Sequence, residues 1–235
     1  MMMRLDKMLA HMGYGSRKDV KKIIKSKMVM INDIIITKDD YKVNTKEDRI
    51  IVFNELVNYL DEVYIMLNKP DGVVSATYDD INKTVIDLVD KYRNYKIFPV
   101  GRLDIDTTGL LLITNNGKIA YNMLSPKKHV DKTYLVSFEG TFKNEYYKSF
   151  ENGIILDDGY KTLPSKIQMI DDNRCYLTIK EGKYHQVKRM FEALNMNVVA
   201  LKRITFGPLT LDENLKEGEY RLLDNKEIEK IKEYE

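Results

Sequence analysis

The chain is organised around a charged, glycine-bracketed loop that precedes an apolar run, in the stretch Phe98-Pro-Val-Gly-Arg-Leu-Asp-Ile-Asp-Thr-Thr-Gly-Leu-Leu-Leu-Ile-Thr-Asn-Asn-Gly117. The run Leu110–Ile113 lies between a glycine and polar turn residues, which predicts a short strand buried on both faces. If residues 102–106 are extended, their three charged side chains share one face and their two apolar side chains the other. The stretch therefore predicts a charged loop mounted on an internal strand, with a surface turn held by Arg102 and an aspartate as the alternative.

Composition predicts a protein with a substantial core and no special covalent chemistry. The 235 residues are 43% hydrophobic, enough for one large domain or two. No apolar segment approaches the roughly 20 residues of a membrane span, and the N-terminus lacks a secretory apolar stretch, so we expect a cytoplasmic protein. The single Cys175 cannot form an intrachain disulfide, and three scattered histidines show no metal-ligand spacing. We therefore expect neither a zinc site nor redox chemistry.

The net charge of +2 is unevenly divided along the chain. Residues 1–53 hold 12 Lys and Arg against 7 Asp and Glu, whereas the remaining 182 residues hold 26 against 29. This asymmetry predicts an N-terminal module that binds a polyanion.

The pattern of residues 1–53 predicts two helices followed by a β-hairpin. The first helix covers about residues 4–11, and Ser16-Arg-Lys-Asp19 has the arrangement of a capping box for a second helix that ends near Lys25. The basic side chains of that second helix lie on one arc, opposite its valine and isoleucines, although a merely solvated lysine face is the alternative. The order helix, helix, hairpin, with Met3-Arg-Leu-Asp-Lys7 and Ser16-Arg17, resembles the RNA-binding module first described in ribosomal protein S4. Its candidate RNA contacts are Arg4, Ser16, Arg17, Lys18, Lys21, Lys22 and Lys25.

Residues 54–62 have no clear period and predict a linker to a second domain at 63–235. In that domain, strands and helices do not alternate regularly, so the sequence predicts a mixed, mainly antiparallel sheet with flanking helices. The expected fold class is α+β, with a small N-terminal α/β RNA-binding module.

Three blocks of the second domain resemble the rRNA pseudouridine synthases of the RsuA type. The string Gly101–Gly109 is similar to their signature, Asn68–Ser75 to their first block, and Lys132-Thr-Tyr134 to a third. The resemblance implies the pseudouridine synthase fold, a catalytic Asp104, a Tyr134 that lies against the target base, and a reaction without a cofactor. A base taken out of folded RNA leaves a vacancy, and Arg102 is our candidate to fill it.

A second rich stretch, Glu181-Gly-Lys-Tyr-His-Gln-Val-Lys-Arg-Met-Phe191, predicts a turn followed by a helix. Lys183, Lys188 and Arg189 lie near the start of that helix, where either a phosphate or a carboxylate partner would fit. The family resemblance implies that Lys188 pairs with the catalytic Asp104. Lys183 and Arg189 are further candidate RNA contacts.

The resulting hypothesis is the isomerisation of a uridine of 16S rRNA to pseudouridine, in which a carboxylate suffices and no atom is gained or lost. The residues in the segments Ile105–Thr108 and Tyr184–Lys188 resemble those of the small-subunit enzymes more than those of the enzymes that modify 23S rRNA. We expect a bacterial monomer that acts on ribosomal RNA within an assembly intermediate, with no membrane or metal partner.

Alternatives from other classes remain open. Asp104-Ile-Asp106-x-Thr108 also fits magnesium-dependent phosphotransferases of the haloacid dehalogenase type, although these need a parallel sheet. A noncatalytic RNA-binding assembly factor would use only the N-terminal module. An RNA methyltransferase is disfavoured because no glycine-rich turn follows an early strand.

Overall fold

A computed structural model describes residues 2–57 and 59–234, and the chain divides into two compact units. The first contains the chain up to Val63 together with Asp90–Ile97, and the second contains Tyr64–Val89 and the chain from Phe98 onwards. Within the first unit, the ring of Tyr95 lies 5.6 Å from that of His11, between centroids. No helix of the described residues is long and apolar enough to cross a bilayer.

The first unit is built from two helices, a 3-10 turn and short antiparallel strands. Its helices and strands are α1 (Leu5–His11), α2 (Arg17–Lys25), β1 (Met2–Arg4), β2 (Val29–Ile31), β3 (Ile34–Ile35), β4 (Lys42–Asn44), β5 (Ile50–Val52) and β6 (Glu55–Val57). Strand β1 pairs with β4, and the other strands form a sheet in the order β3-β2-β5-β6. The predicted helices and the hairpin at Asn32-Asp33 are confirmed. Strand β6 lies inside the stretch assigned to a linker and pairs with β5.

The second unit is a mixed sheet flanked by short helices. Its strands are β7 (Tyr64–Lys69), β8 (Phe98–Pro99), β9 (Thr107–Thr114), β10 (Lys132–Glu139), β11 (Lys166–Met169), β12 (Arg174–Ile179), β13 (Asn197–Phe206), β14 (Leu209–Thr210) and β15 (Tyr220–Leu222). Its helices are α3 (Val85–Leu88), α4 (Gly117–Leu124), α5 (Tyr146–Asn152), α6 (Gln186–Glu192) and α7 (Asn225–Lys232).

The sheet has the order β11-β12-β10-β13-β9-β7-β15, with β14 beside β13 and β8 beside β9. The β9–β13 pair is parallel, and the other neighbouring pairs in this sheet are antiparallel. The prediction of an α+β protein with a mixed, mainly antiparallel sheet is therefore confirmed.

Strand β9 lies inside the sheet between β7 and β13, and it carries the loop that the sequence singled out. Residues Leu110–Ile113 are fully buried, as predicted for a strand covered on both faces. Helices α4 and α7 contribute Ile119 and Ile231 to the core that contains Leu110. Gly109 has φ +98°, and a Cβ there would lie 2.3 Å from the carbonyl oxygen of Arg203, so glycine is required for β9 to approach β13. The loop before β9 therefore has a rigid base.

Candidate active site

The loop Gly101–Asp106, which we call the Asp104 loop, is fixed from below by a buried lysine. Lys69 is completely buried at the end of β7, and its Nζ donates to the carbonyl oxygens of Pro70 (3.0 Å), Ile105 (3.0 Å) and Thr107 (2.9 Å). Burial lowers the pKa of Lys69 to about 8. In the sequence this lysine is only a member of the block Asn68–Ser75, because nothing local to it shows that it reaches a loop 36 residues further on.

Backbone and side-chain hydrogen bonds hold the loop on its other side. Ser75 Oγ donates to the carbonyl oxygen of Leu103 at 2.9 Å and accepts from its N–H at 3.0 Å. The N–H of Thr107 donates to the carbonyl oxygen of Asp104 at 3.1 Å, which closes a turn. Because of this turn the expected alternation is wrong: Ile105 is exposed rather than sharing a buried face with Leu103.

Asp104 lies where a small cavity meets a wider cleft. The cavity, of about 70 Å³, is lined by Asp104, Arg102, Tyr134 and Lys183 among others, and we call it the Asp104 cavity. The adjoining cleft, of about 470 Å³, is lined by Arg102, Asp104 and Lys188 and by neighbouring residues. Four of the predicted site residues thus surround one cavity, and Lys188 lies in the cleft next to it.

Tyr134 is the wall of the Asp104 cavity that comes from β10. It is 7% exposed and lies in register with Leu177 of β12 and Arg203 of β13. Because its strand is paired on both sides and its side chain is nearly buried, the ring has little freedom to move. It can therefore present a fixed flat surface to a planar group in the cavity.

His185 is a basic side chain within 4 Å of Asp104 that was not among the residues predicted for the site. Its Nε2 lies 3.7 Å from Asp104 Oδ1, and its ring stacks on Tyr184 at 3.8 Å between centroids. The residue immediately precedes α6 and has the left-handed conformation, with φ +48°. Gln186 secures the turn, since it accepts from the Lys183 N–H at 2.9 Å and donates to Glu181 at 3.0 Å. The sequence feature that could have indicated His185 is a histidine at the passage from the predicted turn to the predicted helix.

Lys188 binds Asp106 rather than Asp104. Its Nζ lies 2.7 Å and 2.6 Å from the two carboxylate oxygens of Asp106, and it holds the pKa of that carboxyl below its usual range. The expected Lys188–Asp104 pair is therefore wrong. The turn between residues 104 and 107 brings Asp106 to α6, while the basic side chain within 4 Å of Asp104, among the described residues, is His185.

The two other basic residues of this stretch differ in availability. Lys183 lines the Asp104 cavity, and its Nζ lies 4.7 Å from the centre of the Tyr160 ring. Arg189, in contrast, is largely covered and forms ion pairs with Asp157 and Asp158, the latter at 2.7 Å. The arginine expected to contact RNA is thus already paired with carboxylates.

The predicted RNA contacts of the first unit divide in the same way. Asp6 is fully buried and accepts from Arg4 (3.0 Å) and Arg17 (2.7 Å). Burial alone would raise the pKa of Asp6, but the bonds from the two arginines outweigh it and lower the pKa to about 2. Arg4 and Arg17 therefore have a structural partner.

The lysines of α2 are more open to a ligand. Lys21 is 2.9 Å from Asp39, and Lys22 is 3.5 Å from Asp19. Lys18 and Lys25 are exposed, and within residues 2–57 and 59–234 neither forms an ion pair. Ser16 accepts from the Asp19 N–H and caps the helix, so its hydroxyl is engaged in the fold.

Comparison with known proteins defines the class to which this fold and site belong. The family model described as RNA pseudouridylate synthase matches residues 63–193, and the S4 domain model matches residues 3–50. The chain belongs to the RNA pseudouridylate synthase family.

Several relatives are similar to this chain along nearly its whole length, through both the S4 domain and the synthase domain. The chain is 41% identical to ribosomal small subunit pseudouridine synthase A of Haemophilus influenzae, over 97% of this chain and 99% of the relative. It is 38% identical to ribosomal large subunit pseudouridine synthase B of Bacillus subtilis, over 98% and 96%. A crystal structure of a pseudouridylate synthase matches with 40% identity and a TM-score of 0.69, covering 97% of this chain and 99% of that one.

These findings overturn two of the alternatives. A phosphotransferase of the haloacid dehalogenase type would need a parallel sheet, whereas the sheet here is mixed: β9 is parallel to β13 but antiparallel to β7 and β8. In addition, Lys188 already neutralises Asp106. A noncatalytic assembly factor does not explain a match to the synthase family over residues 63–193. Within the described residues, no group of three His, Cys, Asp or Glu could hold a metal ion.

Proposed function

We propose that this chain isomerises a uridine of 16S rRNA to pseudouridine, with Asp104 as the reacting carboxylate. The observation that carries the proposal is the place of Asp104, which lies on an anchored loop at the junction of a small cavity and an open cleft. Its carboxylate is partly exposed, and among residues 2–57 and 59–234 no lysine or arginine forms an ion pair with it, whereas Lys188 pairs with Asp106. It is therefore free to react with a substrate.

The reaction balances without a cofactor. The bond from N1 of uracil to the sugar carbon C1′ breaks, the base rotates, and C5 bonds to C1′; the proton on C5 is lost and N1 gains one. A carboxylate can promote this by adding to the sugar or to the ring, or by removing a sugar proton. Tyr134 supplies a flat wall for the uracil, and Arg102 occupies the place that the flipped base leaves in the RNA.

Lys188 and His185 have different roles in this proposal. Lys188 fixes the Asp104 loop through its two bonds to Asp106, which is a positioning role rather than direct action on Asp104. His185 is the neighbour that can exchange a proton with Asp104 or with the base, given the 3.7 Å between Nε2 and Oδ1.

Two observations support small-subunit rRNA as the substrate: the name of the Haemophilus relative, and the residues in the segments Ile105–Thr108 and Tyr184–Lys188. The large subunit is the alternative, because the Bacillus relative is named for it. The S4 domain supports binding of structured RNA. We propose that the protein acts as a monomer in the bacterial cytoplasm, on a small subunit that is still being assembled, because base flipping needs a site not yet locked by packing.

The test measures tritium release from uridine labelled at C5, because each turnover removes that proton. Equal amounts of enzyme are given naked 16S rRNA, partly assembled small-subunit particles, finished subunits, 23S rRNA and a short hairpin. We expect the highest rate on the particles and little release from finished subunits or the hairpin. Release confined to 23S rRNA would overturn the choice of subunit, and no release from any RNA would overturn the proposed function.

A further inference from the structure

A second cavity, of about 390 Å³, lies beside the Asp104 cavity in the same unit, and we call it the Lys132 cavity. Its lining includes Leu124 at the end of α4, Lys132 at the start of β10, Leu163, and Lys180 after β12. Gly182 and Lys183 line both cavities. The two cavities therefore adjoin each other at these two residues.

The lining of the Lys132 cavity holds three lysines and one carboxylate, that of Glu181. Lys132, Lys180 and Lys183 line it, and in residues 2–57 and 59–234 none of them forms an ion pair. The oxygens of Glu181 accept from the Tyr160 hydroxyl at 2.7 Å, the Leu163 N–H at 2.8 Å and Gln186 Nε2 at 3.0 Å, and its charge acts on Lys132. Three ammonium groups against one carboxylate leave the lining with a net positive charge, which favours an anion.

Lys132 is the part of this site that is built into the core. It is 9% exposed, and its Nζ donates to the carbonyl oxygen of Val130 at 2.9 Å and lies 5.5 Å from the centre of the Phe206 ring. The Arg203 guanidinium lies 4.9 Å from the same ring. Burial, with Arg203 adding to it, lowers the pKa of Lys132 to about 8. An ammonium group has three hydrogens, so donors remain for an anion that would relieve this unfavourable burial.

The other walls suit a base or sugar. Leu124 and Leu163 are apolar, and the Tyr160 ring stands beside them. The volume lies within the range of cavities that hold small organic ligands. The lysines suit a phosphate, and the apolar and aromatic walls suit a flat group joined to it. A nucleotide combines both.

We propose that the Lys132 cavity holds the nucleotide next to the target uridine in the RNA chain, with its phosphate against the three lysines and its base against the apolar wall. This inference rests on the proposed function, because it requires the uridine to occupy the Asp104 cavity. The Lys132 cavity would then be the part of the second unit that contacts the RNA sequence next to the target uridine.

The first test is photocrosslinking with p-benzoylphenylalanine placed at Leu124, which lines the cavity and is 43% exposed. The control places the same amino acid at Tyr121, which lies on the same helix, is 74% exposed and does not line the cavity. The crosslinked RNA nucleotide is mapped beside the pseudouridine formed by the wild-type enzyme. We expect the Leu124 probe to label a nucleotide within one or two positions of the pseudouridine, and the Tyr121 probe not to.

The second test compares Lys180→Ala with Lys226→Ala, which removes an exposed lysine of α7. We expect Lys180→Ala to raise KM for RNA several-fold, to keep kcat, and to reduce the logarithmic salt slope of binding by about 0.7, as expected for one lost phosphate contact to a single strand. Lys226→Ala should change none of these. Inorganic phosphate distinguishes a site for free anions: inhibition of the wild type that Lys180→Ala abolishes, with no nearby crosslink, would overturn the RNA assignment.

Failure of this inference and failure of the proposed function look different. If the wild type forms pseudouridine while the Leu124 probe labels only distant nucleotides and Lys180→Ala behaves as wild type, the assignment of the Lys132 cavity is wrong and the enzyme assignment stands. If the wild type forms no pseudouridine in any RNA, both are overturned.

Discussion

Asp104 and Asp106 are two residues apart, yet the structure gives them different surroundings. Lys188 donates to both oxygens of Asp106, whereas Asp104 has only His185 within 4 Å as a basic neighbour among the described residues. The sequence presents the two carboxylates as equivalent members of one motif. The difference comes from a residue 82 positions away, which no local pattern shows.

We predict that Asp104→Asn abolishes isomerisation and leaves RNA binding nearly unchanged, because the amide keeps the shape of the side chain and removes the reacting carboxylate. Asp106→Asn is the matched control. It should lower kcat by at most about fivefold, since an exposed ion pair contributes up to about 1 kcal/mol. Tritium release and filter binding measure the two effects. Equal losses in both variants would remove the distinction between the two aspartates.

His185→Asn tests the role of the imidazole. Asparagine tolerates the left-handed backbone at this position, so the variant should fold. If the ring moves a proton, kcat should fall about 100-fold or more, KM should change little, and the pH profile of kcat should lose one limb. A parallel fall of kcat at every pH would show that the ring serves only to shape the cleft.

At the scale of single elements, the loop before β9 depends on a lysine from β7. Lys69 binds three carbonyl oxygens while fully buried, and its pKa of about 8 is below the ordinary value. Between these two pKa values the unfolded chain holds a proton that the folded chain has lost. The free energy of unfolding contributed by this group therefore rises with pH above about 8.

The corresponding prediction compares wild type with Lys69→Met across pH by urea unfolding. The free energy of unfolding of the wild type, relative to that of the variant, should be constant below about pH 8 and should increase above it, because deprotonation removes the cost of a buried charge. A difference that decreases as the pH rises would mean that the amine stays charged and contributes through its bonds.

The basic residues of helix α2 have two roles: Arg17 pairs with buried Asp6, whereas Lys18 and Lys25 are exposed and are expected to contact RNA. Replacing both Lys18 and Lys25 by Ala should reduce the logarithmic salt slope of RNA binding by about 0.7 to 0.9 for each lysine. Lys46→Ala, at another exposed lysine of the first unit, is the control. An unchanged salt slope in the double variant would mean that this face is only solvated.

Arg17→Ala should instead lower stability in urea, because buried Asp6 loses one of its two partners.

At the scale of the whole molecule, the elements were more predictable than the site. The apolar run Leu110–Ile113, the cap at Ser16 and the hairpin at Asn32-Asp33 are local patterns, and the structure confirms them. Family resemblance supplied Asp104 and Tyr134, which do line one cavity. The partner of Lys188 and the place of Lys69 under the loop depend on chain segments far apart in sequence, so periodicity could not supply them.

The formation of pseudouridine in 16S rRNA through Asp104 can be measured in cells. Pseudouridines are mapped by carbodiimide modification and primer extension in rRNA from cells that lack the protein, and from the same cells supplied with wild type or with Asp104→Asn. We predict that one stop in 16S rRNA is absent without the protein, returns with the wild type and does not return with Asp104→Asn. An unchanged map, or return of the stop with Asp104→Asn, would contradict the account.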